Sequence, residues 1–197
     1  MTAKLFLGVL LVAAVVRSPL RGEMRAIDPE RSSLTVHVFK SGLFSAFGDN
    51  HEISAPIASG SVEDGATPQV EISVDARLMT VRDPGFAPER RSEVQKRMLG
   101  PEVLDVARFA EIKFRSTAVK PLAARHWRVE GVLSLHGQSV PLSFEVTTAE
   151  GRVRGVATVS QRAFGIEPIS IAGGTVKVRD DVKIDFDIVT EGKSRGK

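Results

Sequence analysis

"GVLSLHGQSVPLSFEV", residues Gly131 to Val146, decides what kind of chain this is. Val140, Leu142, Phe144 and Val146 alternate with Pro141, Ser143, Glu145 and Thr147, the two-residue period of a strand with one buried face. Just before them, "HGQS" (His136 to Ser139) is short and carries a glycine, so it reads as a hairpin turn back to a strand over residues 126–135. "AEGR" (Ala149 to Arg152) repeats the device and leads into a strand over 152–162.

The same alternation extends outward in both directions. Leu34, Val36 and Val38 frame Thr35 and His37; Val70, Ile72 and Val74 frame Glu71 and Ser73. Ile112 and Phe114 frame Lys113, and Val182, Ile184, Phe186 and Ile188 frame Lys183, Asp185 and Asp187. With a less regular strand around 52–62, this predicts about eight antiparallel strands. Such a set closes economically as a two-sheet sandwich or as a barrel. A barrel removes edge strands, and its interior is either filled by side chains or holds one small ligand. Alternation alone leaves that choice open.

One long connection, from about Leu78 to Phe109, separates the third and fourth strands. Its middle, "PERRSEVQKRMLG", has Pro88 at a helix start and Gly100 where the helix would stop. Only Val94, Met98 and Leu99 are apolar there, so the helix should lie on the surface. "PEVLDVARF" from Pro101 predicts a second helical turn.

The chain has 197 residues, enough for one substantial core. Lys4 precedes twelve uncharged, mostly apolar residues, Leu5 to Val16, and then Arg17. In a helix these would reach roughly 18 Å, short of the ~30 Å hydrocarbon core. A cleaved export signal over residues 1–26 is therefore expected, with Gly22 and Ala26 as candidate last residues and no membrane span in the mature chain. Residues 27–190 form the folded domain, and 191–197 a disordered tail. Lys4, Arg17, Arg21 and Arg25 against Glu23 carry the whole formal excess of +3. Of 27 basic and 24 acidic residues, the remainder keeps 23 of each. A sequence pI of 9.4 is then no reason to expect a nucleic-acid partner. With no cysteine, disulfides and a thioether-linked lipid anchor are excluded.

Asp49, Asn50 and His51, following Gly48, bring carboxylate, amide and imidazole together. Gly, Asp and Asn are also turn residues for backbone reasons, and a turn between the first two strands is the favoured reading. A metal site would need three or four converging ligands, and of His37, His126 and His136 only His37 could approach across the hairpin. His136 is expected to hydrogen-bond its own turn. Arg162, at the end of an apolar strand, either faces the polar head of a ligand at the mouth of the interior or pairs with Asp180 or Asp181. No G-x-S-x-G, H-E-x-x-H or phosphate-loop motif occurs, and no metal or cofactor is expected.

"IDPERSSLTVHVFKSGLFSAFG" from Ile27, "MLGPEVLDVARFAEIKFRS" from Met98, "GVLSLHGQSVPLSFEV" from Gly131, "SQRAFGIEPISIAGG" from Ser160 and the closing "VKVRDDVKIDFDIV" occur in this order. Together they resemble the YceI-like, polyisoprenoid-binding proteins over about Ile27 to Val189. Relatives often read Gly-His-Asp-His where Gly48, Asp49, Asn50 and His51 stand here, and proline where Ala110 stands. The resemblance implies an all-β, lipocalin-like, eight-stranded antiparallel barrel with a surface helix. It also implies periplasmic or secreted location and an elongated apolar interior for an isoprenoid or similar long amphiphile. By period, the lining is expected to include Val36, Val38, Ile72, Val74, Ile112, Phe114, Trp127, Leu133, Leu142, Phe144, Val159, Phe164 and Phe186, with Arg162 and His51 at a polar mouth. Two other functions stay open: a hydrolase or isomerase acting on such a lipid through His37, His51 or His136, and a stress-response or structural module with a filled barrel. The sequence leaves the oligomeric state open, a homodimer included.

Overall fold

Short β-branched and aromatic runs separated by glycine turns build a single antiparallel sheet, seen in a computed structural model that describes residues 22–41, 50–65, 68–171 and 176–191. In chain order the strands are β1 (Met24–Ala26), β2 (Ser33–Ser41), β3 (His51–Ser54), β4 (Ile57–Glu63), β5 (Gln69–Asp75) and β6 (Thr80–Val81). After helix α1 (Pro88–Leu99) come β7 (Glu111–Ala123), β8 (His126–Leu135), β9 (Gln138–Ala149), β10 (Arg152–Ser160), β11 (Ser170–Ile171) and β12 (Val176–Val189). The hydrogen-bonded order is β1-β4-β5-β7-β8-β9-β10-β12-β2-β3-β6, with β11 attached to β12. Asp49, the expected export signal up to residue 21 and the tail beyond residue 191 lie outside the described residues.

The strands are more numerous than alternation predicts, for local reasons. β3 and β4 are one run interrupted at Ala55-Pro56, where proline offers no N–H to a ladder. β3 pairs with β2 whereas β4 pairs with β5. The interrupted run thus connects distant parts of the strand order, and the sheet curls around an interior. β1 lies within the stretch expected to be a signal. Its residues pair with β4, from Met24↔Glu63 to Ala26↔Ser61, and the next residue bridges Thr190 beyond β12.

The turns obey backbone chemistry. At the β8–β9 and β9–β10 hairpins, His136-Gly137 and Glu150-Gly151 all have positive φ, between 51° and 75°. Two successive left-handed residues match the right-handed twist of the strands they join, which is why glycine stands second in each pair. The connection between β5 and β7 runs over one end of the sheet. Within it, α1 starts at Pro88 and is capped by Gly100. The Gln95 amide accepts from Val81 N–H and donates to the Met79 carbonyl, fastening α1 to β6. Beyond Gly100, where a helical turn is expected, the chain forms a series of turns, with Leu104 N–H donating to Met98 O and Asp105 N–H to Gly100 O.

Candidate ligand cavity

The inward-facing side chains do not meet in the middle. They surround a cavity of about 680 Å³, within the usual range for small-molecule sites. Val36 and Val38 reach it from β2, Ile72 and Val74 from β5, Ile112 and Phe114 from β7, and Trp127 and Leu133 from β8. Leu142 and Phe144 come from β9, Val159 from β10 and Phe186 from β12. Many of these point inward yet remain only partly buried, because their free surface faces the hollow. The Phe144 ring stands 5.3 Å from Phe114 and 5.4 Å from Phe186, so an aromatic row crosses the wall.

Its two ends differ. At the end crossed by the α1 connection, Met79, Met98, Leu104 and Ile166 are buried and form an apolar floor. The opposite end carries the β7–β8 and β9–β10 turns, β1 and the end of β4. There the lining becomes polar, with Arg25, Asp64, Arg125, Glu150 and Arg152. Arg25 forms an ion pair with Asp64, and Arg152 donates to Asp187 at 2.8 Å. Hydrogen bonds from Arg152 and then Arg154 hold the Asp187 carboxyl below the usual carboxylate range, against the opposing effect of desolvation.

Three expected positions fall elsewhere. Phe164 is buried but lies outside the lining, in a 3-10 turn (Arg162–Phe164) that breaks the strand period. Arg162 is also away from the cavity. Its guanidinium pairs with Glu167 at 2.7 Å and its backbone N–H donates to Asp180. The guanidinium thus pairs within its own connection rather than with Asp180 or Asp181 across the strands, and only the backbone N–H reaches Asp180. His51 does not line the cavity either; its Nδ1 lies 2.7 Å from Asp83, whose other oxygen accepts from Glu52 N–H.

The remaining histidines are dispersed. His37 pairs with Asp185 and His126 with Glu145. In the register, Val38 rather than His37 stands opposite His51, which puts the two imidazoles on opposite faces of the sheet. Asn50 accepts from Lys40 N–H, fastening the ends of the β2–β3 connection as turn residues do. His136 binds the Phe164 carbonyl at 3.0 Å instead of its own turn.

Simple continuation of the alternation would have found Val129, Val146 and Ile184, which also line the wall. The mouth arginines carry no such signal. Arg25 is indistinguishable in sequence from the basic residues flanking an apolar leader, and Arg125 sits in a turn.

A family model, the YceI-like domain, matches residues 26–190. A "UPF0312 protein" of Pseudomonas fluorescens is 31% identical over 140 residues, 66% of this chain and 66% of its own length. Among solved structures, Burkholderia cenocepacia BcnA aligns with a TM-score of 0.64 at 17% identity, covering 82% of this chain and 98% of its own. A polyisoprenoid-binding domain from Saccharophagus degradans, implicated in plant cell wall breakdown, aligns with a TM-score of 0.59 at 14% identity, covering 85% and 97%. At these identities the two structures speak for the fold.

Proposed function

The chain belongs to the YceI-like family, and from that premise we propose that it is a non-enzymatic binding protein for an isoprenoid or similar long apolar amphiphile. The carrying observation is the continuous apolar hollow of about 680 Å³. Support also comes from the Saccharophagus degradans neighbour, itself described as polyisoprenoid-binding. The protein is read as a lipocalin-like barrel of eight principal strands: β2, the β3–β4 run, β5, β7, β8, β9, β10 and β12. β1, β6 and β11 are accessory to these.

Physical magnitudes fit this role. Burying about ten methylene equivalents at ~0.8 kcal/mol each contributes roughly 8 kcal/mol gross. Ordering the tail costs several kcal/mol of this, so micromolar binding needs more than ten methylenes and no ion pair. The wall sets affinity and the polar end sets orientation. Neither rival reading has comparable support: a filled module conflicts with the hollow, and His37, His51 and His136 all lie off its lining.

Export to the periplasm or medium completes the proposal. The apolar run Leu5 to Val16 motivates it, and processing after Gly22 rather than Ala26 would preserve β1 and its ladder with β4. Displacement of the fluorescent apolar probe N-phenylnaphthylamine tests the binding role. Geranylgeraniol should expel the probe at micromolar concentration, and a protein that takes up neither compound would overturn the reading.

A further inference from the structure

Arg25 is the residue whose placement the binding of a hydrocarbon tail does not explain. It stands opposite Val62 in the β1–β4 ladder, and Val62 lines the cavity. Paired residues of adjacent strands share a face, so Arg25 projects inward at the polar end. Asp64 engages only one of its terminal nitrogens, Nη2. The Nε–H is buried with no hydrogen-bond partner, the one such side-chain atom among the described residues. A buried donor left unsatisfied is costly, and the cost is greater for a charged group.

A second guanidinium lies at the same mouth. Arg125 lines the cavity from the β7–β8 turn, is exposed, and its side chain has no hydrogen bond or ion pair among the described residues. The Arg125 carbonyl accepts from Thr148 N–H, which fixes this turn beside the end of β9. Arg152 also lines the mouth but is already held by Asp187. Two acids face the same space: Asp64, neutralised by Arg25, and Glu150, which has no side-chain partner among the described residues.

We propose that Arg25, assisted by Arg125, forms an anion position at the mouth that takes the phosphate or carboxylate head of the bound amphiphile. This rests on the cavity binding the tail. Asp64 leaves the other terminal nitrogen of Arg25 open to an anionic oxygen, and guanidinium groups match such oxyanions with directed hydrogen bonds. The tail then runs down to the floor at Met79, Met98 and Leu104. Glu150 opposes the head group and lowers its affinity.

Trp127 lines the same cavity and is the only tryptophan, so its fluorescence reports occupancy. Geranylgeraniol and geranylgeranyl monophosphate share a tail and differ in the head. The phosphate should bind about tenfold more tightly, as one charge-assisted hydrogen bond allows. Arg25→Gln should bring the two affinities to within about twofold, Arg125→Gln should reduce the preference severalfold, and Glu150→Gln should increase it. Inorganic phosphate alone, followed by calorimetry, should bind at least about a hundredfold more weakly than the lipid phosphate, because it lacks the tail. Equal affinity would mark a free-anion site and overturn the head-group assignment. Equal binding of the two lipids by the wild type, or an unchanged preference in the variants, also overturns the inference while the cavity's role stands. Failure of both lipids to bind removes the two together. If Arg25→Gln melts early, the exposed Arg125→Gln and Glu150→Gln decide.

Discussion

Phe114 on β7 lies across Gly131 on neighbouring β8, so closely that a Cβ at residue 131 would stand 2.5 Å from its Cζ. The same relation recurs between Phe186 and Gly155, where the Cβ would stand 2.6 Å from the ring. Each aromatic ring uses the gap left by a missing side chain to lie along the wall, and Phe144 stands between the two rings. Gly131→Ala should therefore destabilise the fold by about 1–3 kcal/mol through overpacking, despite alanine's better strand entropy. Urea unfolding of the two proteins measures it, and a neutral result would mean that the wall yields easily.

A hollow interior can be filled without breaking the fold. Leu142 projects into the cavity from the middle of β9. Leu142→Trp adds volume where no neighbour is displaced, so the midpoint of thermal unfolding should shift by only a few degrees. Binding of N-phenylnaphthylamine should fall by an order of magnitude or more. In a barrel already full, the same substitution would destabilise strongly through overpacking.

Acid should weaken the protein partly through Asp187. Its folded pKa is depressed, chiefly by the hydrogen bond from Arg152, so its stabilising contribution is complete above the ordinary carboxylate pKa. That contribution is lost as pH falls through the lower folded value. Asp180, depressed mainly by the Ser160 hydroxyl, adds to the same acid limb. Asp187→Asn should lower stability at pH 7 and flatten the decline between about pH 5 and pH 2. Denaturant unfolding across that range checks the slope; a parallel curve would show that Asp187 is not a source of it.

Asp83 is buried, and ties the chain entering α1 to β3 through His51 and Glu52 N–H. Asp83→Ala leaves both partners unsatisfied and should cost about 1–3 kcal/mol. Asp83→Asn keeps an acceptor for Glu52 N–H and should cost less. Because the dyad lies off the cavity lining, ligand affinity of the folded Asn variant should stay within about twofold.

The alternation of Val140 to Val146 and its counterparts exposed most of the sheet, because one face of each strand is apolar and the other is polar. Pro88 and Gly100 marked α1 for equally local reasons. Only the proline marks the break at Ala55-Pro56, because β3 and β4 change neighbours without changing period. Twelve of thirteen expected lining residues project into the hollow, since period two suffices for a straight strand. Phe164 does not, because the 3-10 turn at Arg162 changes the period just before it. The polar end was misplaced to Arg162 and His51 for a different reason. Which barrel end is roofed depends on how the α1 connection folds back, through long-range contacts such as Gln95 with Met79 and Val81. No residue pattern in the strands records that choice.

Native mass spectrometry of protein purified without lipid-extracting detergent from its own host tests the central claim most directly. An adduct of an apolar molecule with a long hydrocarbon tail should accompany the wild-type chain and be absent from Leu142→Trp. A wild-type chain that carries no such molecule, and takes none up when offered geranylgeraniol, would contradict a carrier role for the cavity.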